Sequence, residues 1–127
     1  AMLVTFNVPV ADPLHADKAV RTAIEIQQTV TNQQFAGITL DTRIGINSGK
    51  VFAGNVGTGT RMNYTVHGDA VNLAARLERL NKDYGTRVLV SAHSVSLLSA
   101  TFPLEAMGSV AIRGKTTPVD IYRLSDI

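Results

Sequence analysis

The chain has no cysteine and no tryptophan among its 127 residues, four prolines, and an aromatic fraction of 6%. Without cysteine there is no disulfide, no thiolate metal site and no cysteine nucleophile. So few aromatic rings leave little for bases to stack on, so no nucleic-acid partner is expected. Long hydrophobic runs are missing too: no stretch approaches the roughly 18 to 20 apolar residues that a membrane span needs. The opening AMLVTFNVPVADP lacks the basic flank and cleavage pattern of a secretory signal. The segment is therefore expected to be cytoplasmic with no membrane contact of its own, even where a parent protein is anchored. Charge is modest, with 17% charged residues and a formal net charge of +2 beside 45% hydrophobic residues. That balance fits one ordinary globular domain and argues against disorder.

The small excess of positive charge is unevenly placed. Between Arg43 and Arg87 lie seven basic residues (Arg43, Lys50, Arg61, Arg76, Arg79, Lys82, Arg87) against three acids (Asp69, Glu78, Asp83). A second cluster is Arg113, Lys115 and Arg123. Such a pattern suits a phosphate-bearing ligand and equally a plain solvated surface.

Residues 2–8 alternate in the manner of a half-buried strand, which Pro9 closes. Asp12 at an N-cap with Pro13 at the first helical position predicts a helix start. Ala16, Ala19, Val20, Ala23, Ile24 and Val30 recur at helical spacing, so an amphipathic helix is expected to about Gln34, broken by Gly37. Extended runs are expected at 40–47, 50–56 and 62–67, with the glycine-rich GNVGTGT as a hairpin tip or arm. It lacks the lysine and hydroxyl residue of a P-loop and does not open a helix. Asp69 is expected to cap a helix over 70–84 that buries Ala70, Leu73, Ala74, Leu77 and Leu80 and ends at Gly85. A strand at 87–90, a short helix capped by Ser91, and a closing hairpin around Arg113, Gly114 and Lys115 with a last strand over 119–124 complete an α+β pattern.

The helix at 70–84 carries the informative polar residues. At roughly 100° per residue, Asp69, Asn72, Arg76, Arg79 and Asp83 fall within about 80° of one another, with Asn72 and Arg76 one turn apart. An arginine fixed there can stabilise charge developing on a phosphoryl group, and an asparagine one turn earlier can hold a sugar hydroxyl in line. Thr65 precedes this helix, and Arg113 and Lys115 arrive from a distant loop as cations able to clamp further phosphates. The alternative is an exposed face with a surface network of Asp69, Asn72 and Arg76. Acids able to share a magnesium ion are absent, since Asp12, Asp17, Asp41, Asp69, Glu78 and Asp83 show no suitable spacing. His15, His67 and His93 do not form a ligand set, and His67 reads as a packed histidine.

Residues 43–91, RIGINSGKVFAGNVGTGTRMNYTVHGDAVNLAARLERLNKDYGTRVLVS, closely resemble the class III nucleotide cyclases, the adenylate and guanylate cyclase catalytic domains. YTVHGDAVNLAARLE is the most specific part, and IRGKTTPVDIYRL is similar to the family's closing hairpin. The resemblance implies an α+β, ferredoxin-like cyclase fold lacking its first strands and helices, with residues 1–127 the C-terminal portion of the catalytic domain. It further implies that Asn72 orients the ribose, Arg76 stabilises the transition state, Thr65 contacts the purine, and Arg113 and Lys115 bind the triphosphate. Threonine at 65 departs from the guanylate cyclase pattern and favours ATP. The GNVGTGT tip resembles the family's dimerisation arm.

The implied reaction is conversion of ATP to 3′,5′-cyclic AMP and pyrophosphate with two Mg²⁺ or Mn²⁺ ions, at a site shared between two domains of a homodimer. Both metal-binding aspartates and the purine-binding lysine of the family are missing from this chain. The fragment alone is therefore expected to bind no metal and to be inactive, and to pair through an altered sheet or by exchanging segments. A second reading is a non-catalytic cyclase-like module for dimerisation or nucleotide sensing.

Overall fold

The computed structural model describes residues 2–8, 10–32, 37, 41–58 and 61–125. In chain order it contains α1 (His15–Asn32), β1 (Ile44–Ile46), β2 (Phe52–Thr58), β3 (Arg61–His67), α2 (Asp69–Tyr84), β4 (Val88–Ser91), α3 (Ala92–Ser96), β5 (Leu104–Val110) and β6 (Val119–Leu124). Gln34, Leu40 and Gly59, where expected boundaries fall, lie outside the described residues, as does Pro9.

A four-stranded sheet runs in the order β1-β4-β6-β5, and β2 and β3 form a separate antiparallel hairpin. β1 and β4 are parallel, whereas β4–β6 and β6–β5 are antiparallel. The register shifts between Ala106 and Gly108, where Gly108 has φ +89°, a conformation that favours glycine at a bulge.

Alternation along the strands decides which helix each residue meets. Ile46, Val88, Val90 and Leu124 join Val20 and Ala23 of α1 in one cluster. Leu89 and Ile121 join Leu73, Leu77 and Leu80 of α2 in another. The two long helices thus cover opposite faces of the sheet. β4, covered on both, is buried at every position, which explains its unbroken apolar VLV run.

The expected mixed α+β architecture is present, and the helices follow their apolar spacing. Asp12 opens α1, its carboxylate accepting from Leu14 N at 2.9 Å. Gly85 closes α2 in the left-handed conformation, φ +64°. Ser91 caps α3, accepting from Ser94 N at 3.3 Å.

Three expectations need correction. Residues 2–8 form no strand: they pair with no other described strand, bend at 6–8, and Asn7 has φ +80°. Alternation alone does not hold an extended segment whose N–H and C=O groups lack a ladder partner, and a left-handed residue interrupts it. Met2, Leu3 and Val4 are accordingly exposed. Among the described residues the first strand of the sheet is only Ile44–Ile46. Finally, Asp69 is the first helical residue of α2, not its cap. Gly68 holds the cap position at φ +137°, without a side-chain bond.

Candidate active site

The site begins with the entry into α2. Gly68 adopts a backbone conformation open chiefly to glycine, and its carbonyl accepts from Val71 N and Asn72 N, both at 3.1 Å. Asp69 in the first turn complements the positive end of the helix dipole. These features start the helix so that Asn72 stands in its first turns and Arg76 one turn later, both exposed beside the buried stripe of Leu73, Leu77 and Leu80. Among the described residues neither side chain makes a salt bridge or hydrogen bond, so the expected alternative of an Asp69, Asn72, Arg76 network is not formed.

The sheet register brings the distant cations to the same end of the molecule. β4 follows α2 directly, so the C-terminal end of β4 lies level with the N-terminal end of α2. Ser91 at that end pairs with Ile121, near the start of β6. The β5–β6 loop bearing Arg113 and Lys115 leaves from there. Lys115 N donates to Ile112 O at 3.0 Å, closing the turn, and Gly114 sits at φ +87°. Ile112 and Val119, at the loop's two roots, pack against the Leu73–Leu77–Leu80 cluster of α2. Arg113 and Lys115 are exposed. Thr65 lies in β3 opposite Gly54, on the strand that leads into Gly68 and α2.

Beneath this end lies a polar network that sequence reasoning did not single out. Asn47, just after β1, donates through Nδ2 to Ala70 O in the first turn of α2 at 3.0 Å. Its Oδ1 accepts from Ser91 Oγ at 2.7 Å, and the Ser48 and Ser94 hydroxyls meet at 2.8 Å. Ser91 and Ser94 are almost fully buried. Only the capping role of Ser91 is visible as a local pattern; Asn47 meets partners 23 and 44 positions away.

The arrangement can bind anions and orient a hydroxyl, but it does not fit a metal ion. Among the described residues no group of three or more His, Cys, Asp or Glu could hold one. A shallow hollow along α1, lined by Glu25, Gln28, Thr29 and Asn32, lies on the opposite face of the sheet from α2. No helix is long and apolar enough to cross a membrane among the described residues.

Comparison with known proteins places the chain in a family. Adenylate cyclase 1 of Rhizobium meliloti is 38% identical over 124 residues, spanning 94% of this chain and 19% of that protein. The terminal-differentiation-specific adenylate cyclase of Dictyostelium discoideum is 36% identical over 119 residues, 89% of this chain and 6% of that protein. The crystal structure of a guanylate cyclase domain from Catenaria anguillulae in complex with GTP superposes with a TM-score of 0.79 at 27% identity, over 94% of this chain and 64% of that one. The chain therefore spans a small part of the curated relatives and about two thirds of a solved catalytic domain. Residues 1–126 match the adenylate and guanylate cyclase catalytic domain, and with that match over nearly its whole length the chain belongs to this family.

Proposed function

We propose that this chain is the C-terminal portion of an adenylate cyclase catalytic domain and supplies one half of its active site. The observation that carries the reading is the placement of Asn72 and Arg76, exposed and one turn apart at the start of α2, at the end of the sheet where the Arg113–Lys115 loop also emerges. In the reaction the ribose 3′-oxygen of ATP attacks the α-phosphorus in line and releases its proton to solvent. The bond from that phosphorus to the bridging oxygen breaks, and pyrophosphate leaves with the electron pair. Asn72 holds the ribose so that the attacking oxygen stays in line. Arg76 stabilises the charge that develops on the α-phosphoryl oxygens, which a permanently charged planar guanidinium does well. Arg113 and Lys115 hold the β- and γ-phosphates, and Thr65 contacts the adenine.

The family's catalysis uses divalent metal ions, and the described residues of this chain do not fit Mg²⁺ or Mn²⁺. The acids belong on the facing domain of a dimer, and no step here is assigned to a metal. Asn72 and Arg76 lie on an open surface, so a second domain must close over them to exclude water. Two adenylate cyclases among the relatives and the threonine at position 65 support ATP as the substrate. The absence of a metal-binding acid group among the described residues favours one further reading, a module that pairs or senses nucleotide without catalysis.

The test is Arg76→Ala in the intact protein that carries this domain. Cyclic AMP formation should fall by about 10²- to 10³-fold in kcat, with KM for ATP within about threefold. Turnover unchanged by R76A would overturn the catalytic assignment, and an intact protein without cyclase activity that still binds ATP would establish the sensing module.

A further inference from the structure

We infer that Asn47 is a positioning residue for the reaction, setting the height and angle of the first turn of α2 and hence of Asn72 and Arg76. The inference rests on the proposed roles of those two side chains. Asn47 is the one side chain among the described residues that bonds both a strand end and the helix entry: Nδ2 donates to Ala70 O at 3.0 Å, and Oδ1 accepts from Ser91 Oγ at 2.7 Å. Ala70 lies two residues before Asn72. Ser91 is fixed in turn, because its oxygen also accepts from Ser94 N at 3.3 Å. Ser48, next to Asn47, meets Ser94 Oγ at 2.8 Å.

The same turn is held by shape. A Cβ on Gly49 would come within 2.8 Å of the Ala70 Cβ, so the chain passes against the first turn of α2 at a distance only glycine permits. The backbone leaving β1, the end of β4 and the entry of α2 are therefore locked together by one amide, three serine hydroxyls and one close approach. Asn47 is half-buried, with both ends of its amide engaged within the protein. It acts by holding the carbonyl of Ala70, from which the direction of the first helical turn follows.

A comparison residue separates positioning from plain stabilisation. Asn81, which is fully buried where Asn47 is half-buried, also joins β1 to α2, donating to Ile44 O at 2.9 Å and to Leu77 O and Glu78 O at 3.2 and 3.1 Å. It sits nine residues beyond Asn72, about 13 Å further along the helix. In the intact protein, Asn47→Ala should lower kcat by about 10- to 100-fold, the scale of a misplacement near 1 Å, with KM within about threefold. Asn81→Ala should lower the melting temperature at least as much while kcat stays within about threefold at a temperature where both variants are folded. Asn47→Asp keeps the acceptor for Ser91 but not the donor to Ala70, and should be as slow as N47A. Ser91→Ala keeps that donor and should be milder.

Amide hydrogen exchange on this chain gives a readout independent of turnover: N47A should speed exchange at Val71 and Asn72, and N81A should not. If N47A and N81A reduce kcat alike, or N47A leaves both kcat and exchange at Asn72 unchanged, the positioning role is wrong. If R76A is also without effect, the underlying active-site assignment fails as well.

Discussion

At the scale of single residues, the carboxylate of Asp17 shows how a side chain remote from the site can govern the fold. It lies on the buried face of α1 and accepts from Ser99 N at 2.9 Å and 3.2 Å through its two oxygens and from Ala100 N at 2.8 Å. Hydrogen bonds from these backbone donors, Ser99 foremost, hold its carboxyl below the usual carboxylate range. A depressed folded value means that the stability from ionised Asp17 is fully present above the unfolded pKa, about 3.9, and is lost as pH falls through the folded value. Asp17→Asn replaces one acceptor with an amide that opposes the Ala100 N–H, so its melting temperature should be lower than wild type at pH 7. The gap should narrow as pH drops below about 4, and thermal unfolding between pH 2.5 and 8 checks it; a constant gap would remove the charge as its cause. Nothing local signals this latch. An acid in a first helical turn looks like an ordinary complement to the helix dipole, and the partners that bury it are 82 and 83 residues away. Asn47 and Asn81 escape notice for the same reason, as polar residues that each donate to a carbonyl of a distant element, Ala70 O in α2 and Ile44 O in β1.

At the scale of elements, α2 rests directly on the backbone of β1. Gly45 faces α2, and a Cβ there would lie 2.2 Å from Ala74 O and 2.4 Å from Glu78 N, both backbone atoms of the helix. Neither atom can turn aside as a side-chain end would, so the helix or the strand must move bodily. Gly45→Ala is expected to destabilise the chain by about 3 kcal/mol, the upper part of the range for overpacking, measured as a lower urea midpoint. Exchange at the first turn of α2 should rise with it, because the same displacement carries the Ala70 carbonyl away from Asn47. A midpoint within experimental error of wild type would mean that the contact relaxes freely. Element identity itself was largely readable where one local rule decides. The Leu73, Leu77, Leu80 spacing and Gly85 define α2, Ser91 starts α3, and residues 54–58 of the glycine-rich stretch lie in β2, paired with β3. Residues 2–8 show the opposite case, in which alternation promises a strand but pairing decides, and pairing is not a property of the segment alone.

At the scale of the whole molecule, the positive and negative halves of the implied chemistry are separated. This chain brings Asn72, Arg76, Arg113 and Lys115 to one end of the sheet, and its described residues hold no metal-binding acid group. A pair of identical chains would face two cationic half-sites with no metal-binding acid group among the described residues of either, and closure by twofold symmetry does not supply one. The pure 127-residue chain is therefore expected to form no cyclic AMP from Mg-ATP. Activity should appear when it is mixed with a cyclase catalytic domain that retains its acids but has lost its own transition-state arginine, because one complete site then forms in each mixed dimer. The rate should rise with the concentration of this chain and saturate, as expected for assembly of a shared site. Arg76→Ala in this chain should abolish the recovered activity, whereas Arg79→Ala, one turn further on the same exposed face, should leave it within about twofold, as surface substitutions usually do. Turnover by the pure chain alone would show that the acids are not required from a partner, and failure to recover any activity at saturating concentration would show that α2 and the β5–β6 loop do not form half of such a site.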